Sequence, residues 1–142
     1  MKLITRDTDY AFRALCVMAA SNERIVSVED LVKETSIPRP FLRKILQILN
    51  KKGIIKSYKG KGGGFAFLKP PQKILLTDLI EIFQGPVQFN DHTFKKKRCP
   101  EIRKCKLKRV IDEAEMLVVS KLKLVSIASL LDEELKLWQK EK

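Results

Sequence analysis

The sequence predicts a mainly α-helical fold carrying one small β-hairpin and a long helix toward the C-terminus. Three observations predict it. Apolar residues recur at helical spacing in separate blocks as far as Gly53. The glycine-rich stretch Gly60-Lys61-Gly62-Gly63-Gly64 then sits between two short runs of β-type residues. Finally, an apolar stripe from Leu107 to Val125 is longer than the core of one small domain requires. The chain has 142 residues, ample for a buried core, and no internal repeat or second domain boundary is visible. Its 29 Lys and Arg against 17 Asp and Glu leave a net charge of +12, which favours phosphate polymers as partners over an anionic membrane surface. A hydrophobic content of 44% excludes a disordered basic tail, and 6 Gly with 6 Pro exclude collagen-like and low-complexity classes. No apolar run approaches the ~20 residues needed to cross a bilayer. Arg6, Asp7, Asp9 and Arg13 argue against a secretory signal, so a cytoplasmic protein is expected.

The first helix is expected over Asp7–Ala20, where Tyr10, Ala14, Val17 and Met18 share a face with Ala11 and Leu15 beside them. Cys16, between Leu15 and Val17, reads as a small core residue. Ser27 followed by Glu29 and Asp30 supplies a hydroxyl cap and an acidic first turn for a second, short helix that buries Val28, Leu31 and Val32. After a break at Thr35–Ile37, a third helix opens around Pro38–Pro40, because the first-turn amides lack intrahelical partners and tolerate proline. Leu42, Ile45, Leu46 and Leu49 form its inward stripe, leaving Arg39, Arg43, Lys44 and Gln47 on the other side. Gly53 suits a left-handed helix stop. Strands are expected at Ile54–Lys59 and Phe65–Leu68. Pro70-Pro71 closes the hairpin, and Thr77 reads as the cap of a helix carrying Leu79, Ile80 and Phe83, stopped by Gly85-Pro86. Val87–Pro100 shows no period and contains His92 and the run Lys95–Arg98. The long helix is expected from Lys106 to Val125, its stripe calling for a partner helix. Ser126 reads as the cap of a last helix with Ile127, Leu130, Leu131 and Trp138.

A short helix, a turn, a basic helix and a glycine-tipped hairpin, in that order, make a winged helix-turn-helix. The apolar stripe turns inward and presents Arg39, Arg43 and Lys44 near the N-terminal half of a helix that fits a major groove about 12 Å wide. Arg and Lys donate to guanine acceptors or to phosphate oxygens. Lys59 and Lys61 stand on a hairpin tip where glycines such as Gly62 let backbone approach the duplex. A charge run alone usually marks only a solvated face; here four independent features coincide. The same glycines do not form a nucleotide loop. Gly62, not Ser or Thr, follows Gly60-Lys61, and a strand stands where a helix is required. One His and no placeable nucleophile–base pair leave no catalytic centre, so neither an enzyme nor a small-molecule substrate is expected. The competing reading is a nonspecific architectural protein that coats nucleic acid by charge alone.

Thr8–Leu15, Ile37–Leu46, Gly53–Ser57 leading into Lys59–Phe65, Leu76–Glu81, Gly85-Pro86, and Cys105 opening the long helix together resemble one family. It is the family of small winged helix-turn-helix bacterial transcription regulators that includes IscR, NsrR and CymR, and the resemblance covers nearly the whole chain. It implies a homodimer crossed through the long helix and bound to a pseudo-palindrome in double-stranded DNA, usually as a repressor. It matches Pro40, Arg43 and Lys44 to base-reading positions, and Lys59 and Lys61 to minor-groove contacts. The expected division is residues 1–86 for DNA binding, 87–105 for a sensor loop, and 106–142 for the dimerisation helix and C-terminal helix.

Cys99 and Cys105, separated by five residues, lie among nine Lys and Arg between Lys95 and Arg109. A cationic surround suits sulfur as metal ligand or oxidisable switch. An odd total of 3 Cys argues against a disulfide scaffold, and a five-residue gap is wide for zinc. Cluster-binding relatives carry three cysteines here, and Cys99 and Cys105 match the second and third. Thr93, with His92 beside it, stands in place of the first, and Lys108 where IscR has a histidine. NsrR-like relatives use a carboxylate on the first helix, where Asp9 stands. The resemblance thus implies an iron–sulfur cluster, 2Fe–2S or 4Fe–4S, held by Cys99, Cys105, His92 and Asp9. A cluster-free thiol switch and a degenerate site, with inert thiols and Asp9 merely charging its helix's first turn, remain the alternatives.

Overall fold

The computed structural model describes residues 2–89 and 104–131. His92, Cys99, the Lys95–Arg98 run and Trp138 lie outside the described residues. The elements run α1 (Arg6–Ala20), α2 (Val28–Thr35), α3 (Arg39–Lys51), β1 (Ile55–Tyr58), β2 (Gly64–Phe67), a 3₁₀ turn (Pro71–Lys73), α4 (Leu76–Gln84) and α5 (Lys106–Leu122). Helix α1 packs against α2, α3 and α4, and the antiparallel hairpin β1–β2 flanks α3. No helix among the described residues is long and apolar enough to cross a membrane.

Local chemistry sets most of these boundaries. The Ser27 hydroxyl accepts from the Asp30 amide at 3.1 Å, the cap expected for α2. Helix α3 starts after Pro38 with Pro40 in its first turn, and buries Leu42, Ile45, Leu46 and Leu49. Its end is a Schellman stop. Gly53 has φ +76°, its amide donates to the Asn50 carbonyl, and the Ile54 amide reaches back to the Leu49 carbonyl, both at 3.1 Å. Ile54 and Leu49 are both buried there, so the chain turns sharply into β1. Val26 exchanges backbone hydrogen bonds with Phe65 at 2.9 Å in both directions, an isolated antiparallel bridge on the free edge of β2. A Cβ on Gly64 would lie 2.2 Å from the Val26 carbonyl oxygen, so only glycine permits this approach.

Two expected boundaries need correction. Thr77 does not cap α4. The helix begins one residue earlier, and the Leu75 amide is satisfied by the Asp78 carboxylate at 3.0 Å. Nor does α5 continue to Val125. It ends at Leu122, because the Val125 carbonyl accepts from the Leu76 amide at 2.9 Å while the Ile127 amide donates to the Ile74 carbonyl at 3.0 Å. This small bridge turns the chain back, and Ile127 enters the core formed by α1–α4. The Ser126 cap stands: its hydroxyl accepts from the Ser129 amide at 3.1 Å, and residues 127–131 are helical.

One polar clasp closes the core. Thr8 is fully buried, and its hydroxyl donates to Gln84 Oε1 at 2.7 Å. The same oxygen accepts from the Thr5 amide at 3.0 Å, while Gln84 Nε2 donates to the Leu3 carbonyl at 3.0 Å. A buried hydroxyl without a partner would cost about 1–3 kcal/mol, so the glutamine at the end of α4 locks the chain's start in place.

Candidate nucleic-acid interface

The first turn of α2, the outer face of α3 and the hairpin enclose one open cleft of about 460 Å³. Arg43 and Gln47 line it from α3, Tyr58 from β1, Lys59 and Gly60 from the hairpin turn, and Glu29 from α2. Gln47 follows Arg43 by one helical turn and therefore faces the same way. The cleft exists because the α3 stripe is spent on the core. With Leu42, Ile45, Leu46 and Leu49 facing inward, Arg43 and Gln47 can only face outward.

The cations nominated from the sequence divide into two groups. Arg43, Lys59 and Lys61 are exposed, with no carboxylate within 4 Å among the described residues. Gly62 is exposed on the turn beside Lys61, with φ +76°. Arg39 and Lys44 are instead paired within the chain. Arg39 Nη2 donates to Glu29 Oε1 at 2.6 Å, and Lys44 Nζ to Asp7 Oδ2 at 3.5 Å. Pro40 is exposed in the first turn of α3, and Arg6 stacks over the neighbouring Phe41 ring, 5.0 Å from its centroid. The first turns of α1 and α2 therefore brace the entrance of α3 from both sides. Backbone hydrogen bonding at the start of α2, and then the Arg39 guanidinium, hold the Glu29 carboxyl below its ordinary pKa, and Arg43 acts in the same direction.

Of the proposed cluster ligands, two fall in the described residues. Asp9 on α1 is paired with Arg13 Nε at 3.0 Å. Cys105 caps α5, its half-buried sulfur accepting from the Lys108 amide at 3.5 Å. Among the described residues no three His, Cys, Asp or Glu side chains converge as a metal site. Cys16 is half-buried and packs against the core. Reading the sequence did not nominate Glu29 and Tyr58 for the interface. The first-turn position of Glu29 marks only a helix start, and Tyr58 enters the cleft through a strand register invisible before folding.

A family model described as Rrf2, iron-dependent transcriptional regulator, matches residues 4–133. The chain belongs to the Rrf2 family. Among its relatives, a protein of Aquifex aeolicus named as an HTH-type transcriptional regulator is 39% identical over 92 residues, covering 65% of this chain and 64% of that protein. An Rrf2-like regulator of Rhodobacter capsulatus is 30% identical over 89 residues, covering 60% and 59%. The match thus spans less than two thirds of either relative's length. Among solved structures, CymR (YrzC), the global cysteine regulator of B. subtilis, superposes with a TM-score of 0.73 at 19% identity, covering 94% of this chain and 98% of that one. T. potens IscR gives 0.73 at 21% identity, covering 94% and 88%. The winged helix-turn-helix is accordingly the Rrf2 fold, and the relatives are named as regulators rather than enzymes.

Proposed function

We propose that this Rrf2 chain is a cytoplasmic, homodimeric, sequence-specific DNA-binding transcriptional regulator acting as a repressor. The observation that carries the reading is the convergence of Arg43 from α3 and Lys59 from the hairpin on one cleft, both without carboxylate partners among the described residues. Helix α3 enters the major groove, where Arg43 donates to base-edge acceptors. The hairpin tip with Lys61 and Gly62 reaches the adjacent minor groove, whose negative potential rewards a cationic side chain. Pro40 and Lys44 approach the duplex from the first half of α3. Residues 1–86 serve DNA binding, 87–105 sensing, and 106–142 dimerisation. The exposed Leu107, Val110, Met116 and Leu117 on α5 support the last assignment, since apolar surface of this extent on a helix is stable when covered.

Cys99, Cys105, His92 and Asp9 would hold an iron–sulfur cluster that sets DNA affinity, and two observations on the described donors support that reading. Cys105 already accepts an amide hydrogen bond, and such bonds to sulfur tune cluster potential. The Asp9–Arg13 pair is exposed and worth only about 0–1 kcal/mol, so its carboxylate can be recruited cheaply. A bound cluster would supply one-electron redox chemistry. With two thiolates rather than three, a cluster-free thiol switch at the same loop is the second reading.

Selection of duplexes from a random pool tests the function. The expected result is a pseudo-palindrome with half-sites about 34–36 Å apart. Retention of all sequences alike, with affinity collapsing as salt rises, would instead mark an architectural protein. Oxygen-free purification tests the sensor. A coloured, iron-containing protein that becomes colourless as Cys99→Ala supports the cluster, whereas an iron-free wild type removes it.

A further inference from the structure

We propose that Glu29 is a selectivity residue: by holding the Arg39 guanidinium across the α2–α3 junction it withholds that cation from DNA phosphates and so suppresses sequence-blind binding. The inference rests on the DNA-binding reading above and refines it. In helix-turn-helix proteins the first helix crosses the phosphate backbone, and a helix N-terminus is an anion site. In this chain that position is acidic. Glu29 and Asp30 occupy the first turn of α2, and Glu29 lines the cleft itself. A phosphate at this N-terminus would meet two carboxylates, so the usual backbone anchor is replaced by repulsion. The same Glu29 takes Arg39 at 2.6 Å, the shortest of the cation pairs around α3, and both partners stay exposed at 67% and 45%. The pair lies on the DNA-facing side, yet its net charge is zero. Arg43, one turn further along α3, keeps its charge available, so base reading proceeds while one phosphate contact is withheld.

Both partners are so exposed that solvent screens the pair and little of the chain's stability rests on it. Its consequence is electrostatic: each phosphate-neutralising cation adds about 0.9 to the slope of log affinity against log salt. Removing the carboxylate should return Arg39 to the phosphate-binding set.

The test measures fluorescence anisotropy of a random-sequence duplex between 50 and 200 mM salt with wild type, Glu29→Gln, Arg39→Gln and the double variant (roughly the range over which phosphate contacts show). Glu29→Gln should bind more tightly and steepen the slope by about 0.9 per recognition unit, so its advantage over wild type is about 3–4-fold larger at the low-salt end. Arg39→Gln should barely change wild-type binding to random duplex and should abolish the Glu29→Gln gain. A merely structural role for Glu29 would move the melting temperature but not the salt slope. An unchanged slope in Glu29→Gln, or an equal loss from Arg39→Gln in both backgrounds, overturns the inference while leaving DNA binding intact. Wild type that binds no duplex at all overturns the functional reading, and the inference with it.

Discussion

Helices α3 and α5 are both amphipathic, yet their apolar faces meet opposite fates. On α3, Leu42, Ile45, Leu46 and Leu49 are at most 1% exposed, covered by α1, α2 and the hairpin. On α5, Leu107, Val110, Met116 and Leu117 are 59–74% exposed, and none of the helix's residues is buried. The difference separates two jobs that the same periodicity can encode. An apolar stripe answered within the chain builds the scaffold that aims the opposite face, which on α3 carries Arg43 and Gln47. A stripe left open offers apolar surface of the kind that marks an interaction site.

Substitutions can break that contrast. Leu46→Ala should have the largest effect on the folded chain, about 2–5 kcal/mol, because it empties a closed core site. Urea denaturation should show the loss at every protein concentration. Leu117→Lys should leave a single chain's stability within about 0.5 kcal/mol, as exposed substitutions do. It should nonetheless abolish self-association by sedimentation and make the melting temperature independent of concentration; an equal loss from both variants would erase the distinction. Thr8→Val sharpens the core side by removing one donor to Gln84 Oε1, with an expected cost of about 1 kcal/mol read by thermal melts. The smallest effect concerns pH. Because the Glu29 carboxyl is held below its ordinary value in the folded chain, its contribution is present above the unfolded-state value and lost as pH falls through the folded one. Stability profiles of wild type and Glu29→Gln should therefore converge in acid and separate only slightly near neutral pH.

Much of this fold was legible locally. The Ser27 cap, the Pro38–Pro40 entry and the Gly53 stop each rest on chemistry within a few residues, and all three stand in the structure. What was not legible depends on partners distant in sequence. Helix α5 ended early because Val125 pairs with Leu76, 49 residues before it, whereas the α4 start moved through a local bond, Asp78 reaching the Leu75 amide three residues away. The Thr8–Gln84 clasp joins residues 76 apart, which no periodicity reports. The candidate interface shows the same split. The outward facing of Arg43 follows from the α3 stripe, whereas the neutralisation of Arg39 by Glu29 and the pairing of Lys44 with Asp7 appear only when α1 and α2 fold beside α3.

In the proposed function α3 reads base edges while the hairpin supplies backbone and minor-groove attraction. Comparing Arg43→Ala with Lys61→Ala across a panel of single-base operator variants tests it most directly. Arg43→Ala should relax preference at one base pair of each half-site, worth about 1–3 kcal/mol there, while Lys61→Ala should weaken every sequence alike and lower the salt slope by about 1. Uniform weakening by Arg43→Ala, with the preference at every base pair intact, would contradict it.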